Sequence, residues 1–350
     1  METSTASELR LHSGENPYGP SPAVLRALDA ELGRLHRYPD GSCEALKAAI
    51  ALHHGVPADR VLVGNGVDEV ILLLVLALAD REREAVVTDG TFRSYAESLL
   101  AARQPFTACA MEGYRQPVKE LARRLRAGAV LGFVCQPHNP TGGVLVQREL
   151  RELREATAEG GGVLVVDEAY AEYAGDDFCS ALPMAATGSG VCVLRTFSKA
   201  YALAGLRVGY AVGDDAVISA ASRARGALPY NVNRFAQSAA MAALADQEHM
   251  RRAARAVVET REWFRARLCA LGLTCPPSRG NFVLIDAAGR EQAVAAALNV
   301  MGCRVRDTGD MGLPGHVRIS IGTPAEMEAV LDRLTGVLAT SSDELDGSLA

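Results

Sequence analysis

The chain has 350 residues, of which 49% are hydrophobic and 22% charged, with a formal net charge of −6. That length suggests two domains, or one large domain with a smaller one appended. The mild acidity argues against a nucleic-acid surface and against a peripheral role on anionic membranes.

Met1 to Arg10 is polar and lacks an apolar h-region, so no signal peptide is expected. Leu11 to Pro20 is rich in turn residues and reads as an irregular arm. Ser21-Pro22 reads as an N-cap with proline at the first helical position, opening a helix through about Leu32. From about residue 43 helix and strand alternate. Cys43 to His54 reads as a helix, and Val61 to Val63 as a short strand ending in Gly64-Asn65-Gly66. A helix follows from Asp68 to about Ala79; its apolar run, Val70 to Ala79, is about half the ~20 residues a bilayer span needs. Ala85 to Thr88 is a strand and Ser94 to Ala102 a helix. Ala129 to Cys135 and Val163 to Asp167 are strands flanking a helix from about Gln147 to Ala158. Val191 to Thr196 and Val208 to Val212 are further strands. All are apolar throughout, as expected of parallel strands covered on both faces. Strands alternating with helices imply an α/β sheet. Beyond Asn233 the pattern changes to long helices at 233–246 and 247–271. A strand over Phe282 to Ile285, a helix at 290–300, a strand over His316 to Ser320 and a helix at 324–338 follow. This suggests a smaller α+β unit.

The expected organisation is an N-terminal arm and helix packing with the small domain (1–36), a large domain (37–235), a small C-terminal domain (236–339) and a disordered, Ser-rich acidic tail (340–350). The eight cysteines, Cys43, Cys109, Cys135, Cys179, Cys192, Cys269, Cys275 and Cys303, form no C-x-x-C pair. They read as buried reduced thiols of a cytosolic protein rather than a disulfide or metal framework.

Several segments carry chemistry. In Thr196-Phe197-Ser198-Lys199, with Arg207 eight residues on, hydroxyls and an arginine flank a lysine. Such a set can hold a phosphate dianion while the amine meets an aldehyde, although a surface loop uses the same residues. The apolar run ending in Asp167-Glu168-Ala169-Tyr170 places a carboxylate at the carboxyl edge of the sheet, where α/β ligands bind. That acid suits a pyridinium nitrogen, a metal or solvent. Asn139-Pro140-Thr141-Gly142 puts an amide at the same edge in a turn. Gly64-Asn65-Gly66-Val67-Asp68-Glu69 joins strand to helix and lets backbone approach an anion, but it is not G-x-G-x-x-G, so no dinucleotide site is supported. Arg318, inside the apolar run Val317 to Ser320, needs an anionic partner, either a substrate carboxylate or a structural acid. Arg306 is a weaker candidate for a second anion contact.

Taken in order, these segments resemble fold-type-I pyridoxal-phosphate enzymes, and within them the histidinol-phosphate aminotransferase group. The likeness runs from about Glu15 to Thr323. It rests on Arg195 to Tyr201 with Leu203 to Tyr210, on Glu15-Asn16-Pro17-Tyr18-Gly19-Pro20, on Arg37-Tyr38-Pro39-Asp40, on Pro229 to Asn233 and on Arg318 to Thr323. The resemblance implies an α/β fold. A three-layer large domain around a mostly parallel central sheet binds pyridoxal 5'-phosphate, with a smaller α+β C-terminal domain. It implies three catalytic residues: Lys199 as Schiff-base lysine and proton shuttle, Asp167 on the pyridine nitrogen, and Tyr170, which with Asn139 bonds the phenolic oxygen. Phe92 stacks on the ring; Gly66, Val67, Ser198 and Arg207 hold the phosphate; Asp68 and Thr196 complete the cofactor set. Tyr38 reaches the phosphate of a partner subunit, which implies a homodimer with shared sites. Arg318 binds the substrate carboxylate or a substrate phosphate, assisted by Tyr18, Arg306 and Asn16.

The implied reaction moves an amino group between L-histidinol phosphate and 2-oxoglutarate in cytoplasmic histidine biosynthesis. A secondary-metabolism paralogue acting on another amine, and a decarboxylase of a phosphorylated amino acid, stay open. Four departures from the family pattern bear on the substrate: Val67 for a small or hydroxyl residue, Gly90 for proline, Phe92-Arg93 in place of a phenol, and His138 before Asn139.

Overall fold

The computed structural model describes residues 8–188 and 190–339. The expected tail, 340–350, lies outside the described residues. In chain order the elements are β1 (Leu9–Arg10), α1 (Pro22–Glu31), α2 (Glu44–His54), β2 (Val61–Gly64), α3 (Val67–Leu78), β3 (Ala85–Thr88), α4 (Ser94–Ala101) and β4 (Phe106–Cys109). Next come α5 (Val118–Arg126), β5 (Leu131–Cys135), α6 (Gln147–Gly160), β6 (Val163–Asp167), α7 (Leu182–Ala186), β7 (Val191–Thr196), β8 (Gly209–Val212) and α8 (Asp215–Arg225). The last are α9 (Arg234–Ala245), α10 (Gln247–Ala270), β9 (Phe282–Asp286), α11 (Glu291–Val300), β10 (Cys303–Arg304), β11 (Arg306–Asp307), β12 (His316–Ser320) and α12 (Pro324–Ala339).

Local chemistry explains the boundaries. Ser21 Oγ accepts from the N–H groups of Ala23 and Val24, and Pro22 occupies the first turn of α1, where its missing N–H costs nothing. Gly55 ends α2 in the left-handed conformation. Gly66, at φ 83°, turns the chain from β2 into α3.

β2 to β8 form one seven-stranded sheet in the order β2-β8-β7-β6-β5-β3-β4. Both of its faces are covered. Leu164 and Val166 face one apolar layer and Val165 the other; Val191 and Val193 are likewise opposed to Cys192 and Leu194. Unbroken apolar runs therefore make a three-layer unit. The strand over 208–212 departs from the parallel expectation: β8 runs antiparallel to both β2 and β7. A strand buried on both faces looks the same in sequence whichever way it runs. The sequence reading also passes over β4, α5 and α8. β4 is a half-exposed edge strand, and α5 and α8 are rich in charge, so none presents an apolar run.

Beyond the large sheet, β9 pairs antiparallel with β12, Leu284 opposite Arg318, and β12 with β11. β1 of the arm pairs parallel with β10, which ties the N-terminal segment to the C-terminal part of the chain. All eight cysteines are free; six are buried as expected, but Cys179 is only half-buried and Cys269 is exposed, on the solvent face of α10. No helix among the described residues is long and apolar enough to cross a membrane.

Candidate active site

The register brings the chemistry to one edge. Cys135 pairs with Asp167, the last residues of β5 and β6, and Thr196 closes β7 beside them. Because β8 is antiparallel, it starts where those strands end: Gly209 lies opposite both Thr196 and Gly64. Arg207, the Gly66 turn and Lys199 thus meet at the same edge. There a cavity of about 310 Å³ opens, walled by Val67, Phe92, Asn139, Asp167, Tyr170 and Lys199, with Asp68, Thr196, Ser198 and Arg207 also facing it.

Asp167 forms one wall. It is 3% exposed. Its Oδ2 accepts from the Tyr95 hydroxyl at 2.7 Å and its Oδ1 from the N–H of Ala169 at 3.0 Å. Burial pushes its carboxyl up to about 6, against the pull of those two donors.

Lys199 stands opposite. Its Nζ donates to the carbonyl of Ser13, 2.6 Å away in the arm, and lies 5.7 Å from the centre of the Tyr170 ring. Burial, and then the nearby Arg318, lower its ammonium to about 8. Asn16, expected at the substrate, instead donates to the carbonyl of Ala200 and so anchors the arm to the lysine loop. Tyr18 is a surface residue and lines neither this cavity nor the one beside it.

The third feature is an anion cradle. Arg207 packs against Gly66 so closely that a Cβ there would lie 2.4 Å from its Nη2. The N-terminus of the twelve-residue α3 points its first N–H groups into this corner, and Ser198 closes it. Arg207 Nη2 is held by Asp68 Oδ2 at 2.9 Å, and Asp68 Oδ1 accepts from Ser94. Asp68 thus contributes by fixing the arginine. Val67 brings an apolar side chain, so only backbone N–H donors are available at its position.

Arg318 is 6% exposed and has no carboxylate partner among the described residues. One guanidinium nitrogen donates to Asn139 Oδ1, the other to the carbonyl of His12 at 2.6 Å, and Nε has no partner. The structural ion pair open to it in the sequence is not formed. Burial lowers its pKa. It faces a second cavity of about 220 Å³, adjoining the first, which Arg306, Arg93 and Phe92 also line. Arg306 and Arg93 share one oxygen of Asp310, at 2.7 and 3.2 Å. Tyr38 reaches neither cavity of its own chain; it is 77% exposed and stacks on Tyr230 with centroids 4.6 Å apart.

The comparisons agree with this geometry. The family model "Aminotransferase class I and II" matches residues 6–334. The chain belongs to this family. It is 35% identical to the histidinol-phosphate aminotransferase of Symbiobacterium thermophilum, over 94% of this chain and 90% of that one. It is 39% identical to histidinol-phosphate aminotransferase 2 of Methylococcus capsulatus, over 93% and 90%. The crystal structure of the Sinorhizobium meliloti histidinol-phosphate aminotransferase with pyridoxal-5'-phosphate superposes with a TM-score of 0.87 at 27% identity, covering 95% of this chain and 92% of that one.

In this class I and II aminotransferase two features of the site, and the fate of one neighbouring acid, went unread in the sequence. Tyr95 sits three residues past Phe92, one helical turn away, and its hydroxyl is hidden behind Asp167. The carbonyl of Ser13 carries no side-chain signal at all. Glu168 leaves the cavity to its neighbour Asp167 and turns inward, where it accepts from Arg195, Ser180 and Ala181. The Asp-Glu pair is thus divided between one acid at the site and one in the core. Tyr95 alone was findable in principle, as a tyrosine on the inward face of a helix following Phe92.

Proposed function

We propose that this aminotransferase binds pyridoxal 5'-phosphate in the 310 Å³ cavity and moves an amino group between L-histidinol phosphate and 2-oxoglutarate. The observation that carries the reading is Arg318: a buried guanidinium whose Nε is free and whose partners are neutral oxygens among the described residues, in the wall of the 220 Å³ cavity that Lys199 also lines. A buried charge left without a counter-ion is costly, so the site is built for an anionic ligand.

The residues fit the cofactor. The Gly66 turn, where no Cβ has room, together with Arg207, Ser198 and the first N–H groups of α3, would hold its phosphate. Asp167 would keep a proton on the ring nitrogen, Asn139 and Tyr170 would bond the phenolic oxygen, and Phe92 would cover a ring face. When bound, pyridoxal phosphate supplies a carbonyl that takes up amino groups and a ring that withdraws electrons. Lys199 holds and moves the proton at the substrate Cα; an ammonium lowered to about 8 leaves a useful neutral fraction at physiological pH. Arg318 binds the acidic end of either substrate, with Arg306 beside it. The substrate assignment is supported by the names of the relatives.

Tyr38, Leu25, Leu32 and Leu35 are large side chains exposed within one short segment of the chain. We read Tyr38 as a residue lent to the site of a second copy, which makes the working unit a homodimer. We place the enzyme in the cytoplasm, where free thiols persist.

The test loads the protein with pyridoxal phosphate and adds L-glutamate and L-histidinol phosphate separately. Both are expected to change the absorbance of the bound cofactor and to couple into turnover. A response to glutamate alone would retain the aminotransferase and reject the amino substrate, turning attention to Phe92 and Arg93.

A further inference from the structure

Tyr95 does not line the main cavity. It lies behind Asp167, fully buried on α4. Its ring stacks on Phe133 with centroids 5.0 Å apart and 16° between planes, and meets Phe92 edge-on at 5.6 Å. With the ring packed in this way, its hydroxyl donates to Asp167 Oδ2, 2.7 Å away, with the Cys135 thiol beside it. The tyrosine is the donor: burial and the adjacent carboxylate both raise its pKa, so the phenol keeps its proton.

We propose that Tyr95 is a positioning residue that orients Asp167 and holds its carboxylate ionised, so that a proton shared with a ring nitrogen in the cavity stays on the nitrogen. The second half rests on the cofactor reading above; the first half does not. A donor hydrogen-bonded to a carboxylate favours the charged form. Nothing else near Asp167 does so as directly. Cys135, from β5, is a thiol whose own pKa is raised by burial, and it carries no positive charge. Asp68, from α3, and Glu168, next in sequence, both push Asp167 upward. Lys199 lines the same cavity, and its amine donates instead to the carbonyl of Ser13. Among the described residues the Tyr95 hydroxyl is the one side-chain donor to this acid, and the N–H of Ala169 the one backbone donor. Without the phenol, Asp167 becomes a stronger base and competes with the ring nitrogen for the shared proton. Phe92 covers the cavity on one side and Tyr95 braces it from behind, so the same ring couples the stacking wall to the acid.

The experiment compares wild type, Tyr95→Phe and a chain carrying 3,5-difluorotyrosine at position 95. In the cofactor-free proteins, labelled with 13C-aspartate, infrared difference spectra follow the Asp167 carboxyl against pH, with Asp167→Asn identifying its band. Tyr95→Phe is expected to raise the midpoint by about one to two pH units, the worth of one hydrogen bond to a charged group. The fluorinated phenol is the stronger donor and is expected to lower it, with the ring packing retained. In the loaded proteins, 15N resonance of the labelled ring nitrogen is expected in the protonated range for wild type and displaced toward the unprotonated range in Tyr95→Phe. A purely structural tyrosine would lower the melting temperature and move neither signal. An Asp167 midpoint unmoved by both substitutions would overturn the proposal. If the wild-type chain takes up no pyridoxal phosphate, the cofactor reading fails, and the cofactor-free titration still decides whether Tyr95 governs Asp167.

Discussion

Replacing Lys199 with methionine keeps the length of the side chain and removes its amine. The ammonium is lowered from its ordinary 10.5 to about 8, chiefly by burial. The folded chain therefore gives up this proton first, and between about pH 8 and 10.5 the unfolded chain binds more protons. Stability rises with pH across that window. At about 1.36 kcal/mol per unit, wild type is expected to gain about 2 kcal/mol over Lys199→Met between about pH 7 and pH 9.5. Lys199 is half-buried beside an open cavity, which makes this figure a ceiling. Urea unfolding of the two cofactor-free proteins at matched pH reads the difference, in which all other titrations cancel. The same lowering predicts how fast wild type takes up pyridoxal phosphate. The neutral amine fraction rises about tenfold from about pH 7 to pH 9 and then levels off, whereas an ordinary lysine would rise about a hundredfold with no plateau. A stability difference that stays flat with pH, together with uptake that shows no plateau, would refute the assignment of a lowered amine at this position.

Arg318→Ala removes two charged hydrogen bonds to an anionic substrate and is expected to raise its KM about a hundredfold or more, read in steady-state kinetics; an unchanged KM would take Arg318 out of the site. Gly66→Ala forces a Cβ to within 2.4 Å of Arg207 Nη2 at φ 83°, so the arginine must leave its place beside Asp68. The strain is about 1–3 kcal/mol, and dialysis followed by absorbance should show about fivefold or more weaker cofactor retention. Glu168→Ala removes one of the two carboxylates paired with the buried Arg195 guanidinium, 2.7 Å away, and leaves it Glu172 at 3.0 Å; the lost charged hydrogen bonds should cost about 1.5–3 kcal/mol in chemical unfolding, with a loss below about 0.5 kcal/mol counting against it.

Much of the site was legible because its residues are short, contiguous signals. Asp167 ends an apolar run, Lys199 stands among hydroxyls, and Gly66 breaks strand from helix; each is a local pattern with a local physical cause. The helix starts at Ser21-Pro22 and the strands over 61–63, 163–167 and 191–196 follow from capping and from unbroken apolar runs. Such runs state that a strand is covered on both faces and leave its direction open. β4 leaves no pattern because an edge strand buries little, whereas α5 does carry one, with Val118, Leu121, Ala122 and Leu125 buried at helical spacing; charged residues interrupt that face and the buried face of α8, so neither stands out as an unbroken apolar run.

What the chain determines by itself, then, is which residues end strands and which turns lack side chains, because those choices depend on neighbours in sequence. Only the tertiary structure decides what those residues meet. The reversal of β8 delivers Arg207 to the edge where β5, β6 and β7 end; a parallel strand would have left it at the opposite end of the sheet. Packing turns Glu168 toward Arg195 and leaves Asp167 to the cavity, places a carbonyl of the arm on Lys199, and sets Tyr95 behind the acid. It also withholds any carboxylate from Arg318, because its burial and partners are set by strands and an arm up to 306 residues distant in the chain.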